Sequence, residues 1–472
     1  MKDDDLNPFD IPEGIIEPGK DVGHRGSAPE LAGEAGFEED GGPKIAIQLG
    51  DFVAYSPTNK FIFVPTGDEW EGASINARIP PVFAGRDKKG EAIEISPTKW
   101  LHQNASVEQK VWAPGEPPMI EGRLLSDEAW LERAGARVIN LYRAPTVAPR
   151  KADVRPWLRH IREVYPEHWK HVVRYLAYKV QFPAVKINHG LVLGGYQGIG
   201  KDTLLEPAKV AVGPWNWQET TPREVLDKHN GYLQSVMLRV SEARDLGESD
   251  RFKFYDHMKT AMTAPPNVHR INDKYLRAYP VRNVCGVVIT TNYRTGGLYL
   301  PPDDRRHYVM WSPLPERHFP PEYFAKLYAW YAAGGNEIVA DYLLRLDISS
   351  FDPKAPPPKT EAFWAMVDAN RSPETGLLAD RLEEMGRPAV VTLDQVRAGA
   401  TEELLKVLEG PPRLIPHRFD ECRYEAIRNP ASERGNWKFG GKSVVVYGDQ
   451  RVPLSERLRA IEEWRRLGQS SA

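Results

Sequence analysis

Three short apolar runs mark the middle of the chain: residues 187–193, Val236-Met237-Leu238-Arg239-Val240, and Gly286-Val287-Val288-Ile289-Thr290-Thr291. Runs of this length, bounded by Gly, Asn and Ser, read as buried strands. Helical spacing separates them, so an α/β domain with a parallel sheet is expected over residues 186–315. Ahead of it, Trp157, Ile161, Val164, Trp169, Val172, Val173, Leu176 and Val180 recur at helical spacing until Pro183. This gives a helical collar over 151–185. His160, His168 and His171 fall in the same stretch, with no acidic or Cys partners to complete a metal-ligand pattern, and read as surface helix residues. Residues 44–150 carry short β-type runs (45–47, 52–55 and 61–64) broken by Gly, Pro, Ser and Asn, and read as an α+β N-terminal region. Residues 316–390 read as a helical extension with a Pro-rich linker. Over 391–472, helices are followed by a hairpin signal, Gly440-Gly441 between two strand-like runs.

Composition narrows the function classes. Of 472 residues, 41% are hydrophobic and 27% charged, as in soluble globular proteins. No apolar window approaches the ~20 residues of a membrane span, and the acidic start Met1-Lys2-Asp3-Asp4-Asp5 is unlike a secretory signal. A cytoplasmic protein without membrane contact is expected. Cys285 and Cys422 are the only cysteines, which excludes a disulfide scaffold and a Cys-based zinc site. The net charge of −3 hides an asymmetry: residues 1–43 hold twelve acidic and three basic side chains, the rest 59 basic against 53 acidic. The first 43 residues, poor in core formers, read as a disordered acidic arm. The mildly basic remainder is compatible with nucleic acid.

Gly195-Tyr196-Gln197-Gly198-Ile199-Gly200-Lys201 fits the G-x-x-x-x-G-K pattern of a phosphate-binding loop. It directly follows an apolar strand and precedes a helical run from Thr203. The glycines let backbone N–H groups turn toward phosphates, the lysine reaches the β and γ oxygens, and the helix start adds its positive end. Asp202 stands where Ser or Thr ordinarily holds Mg²⁺, with Thr203 next; either is a metal-ligand candidate. An ATPase of this kind needs an acidic residue at the end of a neighbouring strand. Glu242, after Ser241, fills that place as general base or water-orienting group and as a further metal candidate. Asn292 ends the third strand, where an amide can sense a γ-phosphate. Arg305-Arg306 follow.

In order and spacing, residues 195–203, Glu242, Asn292 and Arg305-Arg306 resemble the motifs of superfamily 3 helicases, most closely the helicase module of phage and plasmid primase-helicases, related to the poxvirus primase-helicase. The resemblance is strongest over 186–315 and looser through 323–360. It implies an AAA+ core that binds ATP and Mg²⁺, assembles as a ring, by family expectation a hexamer, and moves along single-stranded DNA. Arg305 and Arg306 become finger candidates acting on a neighbouring subunit. The family's basic hairpin maps onto residues 267–279, with Lys274 near the tip, Arg277 beyond it, and His269 a further cation at low pH. Residues 391–472 would be a winged-helix-like domain. Residues 1–150 offer no D-x-D on a strand, so priming would belong to a separate partner. The implied activity is an ATP-dependent DNA helicase or translocase in phage, prophage or plasmid replication. The alternatives are an AAA+ ATP switch that remodels or loads a protein partner at an origin without unwinding DNA, and a degenerate ATPase that mainly binds origin DNA.

Overall fold

Short strands punctuated by turns build the N-terminal part of the chain, as the pattern of Gly, Pro and Asn predicts. The computed structural model describes residues 46–241, 248–272, 278–294, 298–369, 373–439 and 442–469. The acidic segment 1–43 lies outside the described residues. Ala46 and Ile47 belong to no strand, contrary to the β-type reading of 45–47. Strand β1 (Phe52–Tyr55) pairs antiparallel with β2 (Lys60–Phe63), which continues to β3 (Asp68–Trp70); the other edge of β1 takes β4 (Ser106–Val107). A second sheet places β5 (Gln109–Val111) parallel to β7 (Trp130–Asn140), with β6 (Met119–Leu125) antiparallel on the far side of β7.

The helical collar expected over 151–185 divides into α1 (Arg155–Val164) and α2 (Trp169–Gln181). Pro166 accounts for the break. A residue before proline is pushed out of the helical region, and Tyr165 sits at φ −134°, ψ 71°. Trp157, His160, Ile161 and Val164 form the buried face of α1.

The three apolar runs are the interior of a larger sheet. Its five strands are β8 (Gly190–Gly194), β9 (Trp217–Thr220), β10 (Met237–Val240), β13 (Gly286–Thr291) and β14 (His307–Trp311), in the order β9-β10-β13-β8-β14, with every pairing parallel. β8 and β13 are buried along their whole length, as strands covered on both faces must be. Each fully buried Leu, Val or Ile there contributes about 1.5–3 kcal/mol. The chain is therefore a mixed α/β protein with a parallel sheet. Between β8 and β9 runs α3 (Glu206–Val212), and α4 (Glu248–Met262) precedes a hairpin of β11 (Val268–Ile271) and β12 (Tyr279–Arg282).

This hairpin is joined to the N-terminal part. Trp112, just past β5, bridges Val281 in parallel, and Arg282 N–H donates to the Trp112 carbonyl at 3.0 Å. The Lys110 ammonium lies 4.9 Å from the Tyr279 ring centroid and 2.7 Å from the Glu69 carboxylate. Hydrogen bonding thus runs from β6 through β7 and β5 into β12 and β11.

After β14 come α5 (Pro321–Trp330) and α6 (Asn336–Arg345), then α7 (Glu361–Ala369) and α8 (Pro373–Glu384). The last part combines α9 (Leu393–Arg397), α10 (Glu402–Leu408) and α11 (Leu414–Glu421) with an antiparallel sheet. That sheet is β15 (Val390–Thr392), β19 (Val446–Asp449) and β16 (Tyr424–Ile427), in this spatial order. The hairpin strands β17 (Trp437–Phe439) and β18 (Lys442–Val444) flank Gly440-Gly441, which lie outside the described residues. The chain closes on α12 (Leu454–Gln469), an element the sequence reading does not anticipate. Arg423 ties this part to α7, 2.8 Å from Asp368 and stacked over Trp364. Among the described residues no helix is long and apolar enough to cross a membrane.

Candidate nucleotide site

The glycine-rich loop leaves the C-terminal end of β8 and turns on residues that only glycine adopts without strain. Gly198 and Gly200 have φ of +78° and +80°. At Gly200 a Cβ would also meet the His160 ring at 2.5 Å and Phe324 at 2.8 Å, so the loop is pressed against α1 and α5. The regular helix after the loop starts at Glu206, with Pro207 in its first turn, and residues 201–205 form turns. The expectation of a helix from Thr203 is corrected accordingly. The donors available at the loop are turn N–H groups and the lysine, not the end of a long helix.

Lys201 is buried and donates three hydrogen bonds: to the carbonyls of Gly195 at 2.7 Å and Tyr196 at 2.8 Å, and to Oδ1 of Asn292 at 2.7 Å. Burial lowers its pKa to about 8, against the opposing charge of Asp202. Asn292 follows β13, the strand hydrogen-bonded to β8, and Gly195 N–H donates to the Thr291 carbonyl at 3.2 Å. Lys201 and Asn292, far apart in sequence, therefore meet.

Asp202 and Thr203 diverge. The Asp202 carboxylate is 58% exposed and lies 2.9 Å from the Arg239 guanidinium. Thr203 is buried, with Oγ1 3.2 Å from the Tyr328 hydroxyl. Loop, Asn292, Arg239 and the α5 aromatics Phe324 and Tyr328 surround a cavity of about 400 Å³. Thr290 and Thr291 form part of its wall.

Glu242 lies outside the described residues; Ser241 before it donates its N–H to the Thr220 carbonyl at 2.9 Å. β10, which leads to it, is not adjacent to β8, because β13 lies between them. The acidic residue thus follows the second strand over from the loop strand, rather than its neighbour.

Arg305 and Arg306 stand at the opposite end of the sheet. Gly190 N–H donates to the Arg306 carbonyl at 2.7 Å, which places Arg306 beside the first residue of β8, whereas the loop follows the last. At about 3.3 Å per residue, the length of β8 separates them by about 13 Å. Arg305 is exposed, and both arginines line cavities of about 600 and 390 Å³ distinct from the loop cavity.

In the hairpin, His269 is buried in β11. Burial, with the nearby Lys186 charge, lowers its pKa to about 4. The expectation there is a further cation at low pH; the ring is neutral throughout the physiological range and gains a proton only near pH 4. Lys274 and Arg277 lie outside the described residues.

Sequence reasoning missed His160 and Arg239. His160 is fully buried, contrary to its reading as a surface residue. Its Nε2–H donates to the Gly200 carbonyl at 3.0 Å, and its Nδ1 accepts from the Tyr323 hydroxyl at 3.1 Å. Burial lowers its pKa, with the Gly200 bond opposing, so the ring buttresses the loop in neutral form. Its signal was present: Trp157, His160, Ile161 and Val164 are spaced i, i+3, i+4, i+7. For Arg239 the signal was a charge inside an apolar strand, which needs a partner. His171 and His189 also pair inside the protein, Nε2 to Nε2 at 3.0 Å.

Fold and site together define an α/β protein with a glycine-rich, lysine-bearing loop at the C-terminal edge of a parallel sheet. A family of unknown function (DUF5906) matches residues 193–306, the stretch from the end of β8 to Arg306. No curated protein matches. Among solved structures, the apo NrS-1 C terminal region (305-718) aligns with a TM-score of 0.52 at 15% identity, over 83% of this chain and 93% of that one. At this identity the likeness is one of fold. A chain described as JCV helicase aligns at 13% identity over 50% of this chain and 66% of its own, with a TM-score of 0.26, an overlap that does not define a shared fold.

Proposed function

We propose that this chain is an ATP-dependent DNA helicase or translocase of superfamily 3 type, built on an AAA+ core and serving phage, prophage or plasmid replication in the cytoplasm. The observation that carries the reading is the meeting of Lys201 and Asn292 at the mouth of adjacent parallel strands, inside a cavity walled by the glycine-rich loop. Ligands of open parallel sheets bind in this position.

The residues present fit a magnesium nucleotide. Gly198 leaves open space where any side chain would project, and Lys201 holds its proton at neutral pH beside backbone donors. Mg²⁺ binds through one or two protein oxygens together with phosphates, which Asp202 or Thr203 can supply. When bound, it offsets the phosphate charge. Lys201 takes the β and γ oxygens, for which it exchanges two carbonyls and an amide. Asn292, freed from the ammonium, faces the terminal phosphate. Glu242 activates water.

Arg305 and Arg306, separated from their own loop by the length of β8, about 13 Å, act on the site of the next subunit, so activity belongs to a ring, a hexamer by family analogy. Lys274 and Arg277 contact single-stranded DNA, and a separate primase or other replication protein is the expected partner. The last part of the chain serves as a winged-helix-like domain.

The test is steady-state ATP hydrolysis with and without single-stranded DNA, with Lys201→Ala as the blank. Stimulation by DNA that vanishes in the variant supports a motor. A second reading, an ATP switch that loads or remodels a protein partner without unwinding, is favoured by the engagement of Asp202 with Arg239. Hydrolysis indifferent to DNA would select it.

A further inference from the structure

Arg239 is an unusual residue for its place. It lies on β10, inside the parallel sheet, between the fully buried Leu238 and Val240. Its side chain is only 18% exposed, and its Nε is buried with no hydrogen-bond partner among the described residues. A guanidinium in such surroundings must be paired. One candidate partner, Glu219, sits opposite it on β9, but its carboxylate is 3.5 Å away and shared with Lys209 at 3.3 Å. The close partner is Asp202 at 2.9 Å, the residue that stands where a phosphate-binding loop ordinarily carries a metal-binding hydroxyl.

Two departures from an ordinary loop site, a carboxylate at 202 and an arginine at 239, are thus in contact across the cavity that also holds Lys201 and Asn292. Resting on the nucleotide-site reading above, we propose that Arg239 is a phosphate ligand of this site supplied in cis, held by Asp202 while the site is empty. A hard carboxylate oxygen favours Mg²⁺. A planar guanidinium matches a phosphate with two parallel N–H donors and is more weakly hydrated than an ammonium. Arrival of a magnesium triphosphate therefore offers each member of the pair a better partner. Asp202 turns to the metal, and Arg239 turns to the outer phosphates, where an arginine stabilises charge in phosphoryl transfer whether supplied in cis or in trans.

The pairing also makes the site selective. A diphosphate lacks the group that the released guanidinium would hold, so the Asp202–Arg239 contact persists with it. Arg239 would discriminate between triphosphate and diphosphate, whereas a merely structural salt bridge would not.

The test is equilibrium binding of ADP and a non-hydrolysable ATP analogue to the full chain, with and without Mg²⁺. Arg239→Ala is expected to weaken the triphosphate analogue at least tenfold and ADP less than threefold, with Arg239→Lys recovering part of the loss. Asp202→Asn is expected to tighten metal-free triphosphate binding several-fold and to abolish the gain that Mg²⁺ brings. If Arg239→Ala does not fold, Arg239→Met, which keeps the stem in the strand, takes its place. Equal effects on the two nucleotides, or none, would overturn the proposal. If Lys201→Ala loses binding while the Arg239 variants keep it, only the role of Arg239 falls. If the unaltered chain binds neither nucleotide, the site reading and this inference fall together.

Discussion

The Lys201 ammonium and the Asn292 side-chain oxygen lie 2.7 Å apart, so the tip of β13 is fastened to the loop that leaves β8. The contact couples two roles, because whatever draws Lys201 away also releases Asn292. Removing the amide should therefore separate binding from turnover. Asn292→Ala is expected to change nucleotide affinity by less than about threefold and to lower kcat by about 10²-fold, the scale of losing one oriented donor. Asn292→Asp sets a carboxylate where phosphate must approach, and should weaken binding tenfold or more. Titration of a fluorescent nucleotide beside steady-state hydrolysis checks both.

His160 supports the same loop from beneath. Its replacement by Ala removes one of two donors to the Gly200 carbonyl, leaving the Leu204 N–H at 3.2 Å, and opens a cavity against Phe324. The expected loss is about 2–4 kcal/mol of stability, read from urea unfolding, together with weaker nucleotide binding. Full stability and unchanged affinity in His160→Ala would show that the loop keeps its shape without this support.

Arg305 and Arg306 lie at the other end of β8 from the loop of their own chain, so complementation should occur between defective chains. A chain carrying Arg305→Ala and Arg306→Ala is expected to be inactive alone, as is Lys201→Ala. Mixed in equal amounts, the two should recover part of the hydrolysis, because some interfaces then join an intact loop to intact arginines. A mixture as silent as its components would show that the arginines do not act across a subunit boundary.

A pH effect follows from Lys179. It is fully buried among carbonyls, including that of Val284 at 2.6 Å, and burial lowers its pKa to about 7. Below that pH both folded and unfolded chains hold the proton, and folding bears the full cost of burying the charge. Above it the folded chain releases the proton while the unfolded one keeps it up to about 10.5, so stability rises with pH. Relative to Lys179→Met, the unaltered chain should gain about 1 kcal/mol per pH unit between pH 7 and 9. Denaturant unfolding at three pH values measures the difference.

Much of this architecture was legible because burial on both faces of a sheet leaves a plain mark. The strands β8, β10 and β13 are apolar nearly throughout, and the loop pattern follows β8 directly. The edge strands β9 and β14 escaped notice: Gln218 and Glu219 make up half of β9, and β14 opens on a histidine after two arginines. The break at Tyr165 needed only attention to Pro166. His160 and His269 share one difficulty, since residue type alone does not tell a buried imidazole from a solvated one. Distant segments decide it: Gly200 and Tyr323 bond the His160 ring, and for His269 burial within the sheet, with the Lys186 charge adding to it, lowers the pKa.

The bridge from Trp112 to Val281 has a mechanical consequence. A hairpin standing alone would bend when pulled at its tip. This one hands tension to a ladder of strands that continues through β5 and β7 to β6, with the Lys110–Glu69 pair as a strut at its base. Strands β5, β7 and β6 therefore brace the hairpin, and a shortened chain beginning at α1 would strip the outer edge of β12 of its contacts with Trp112.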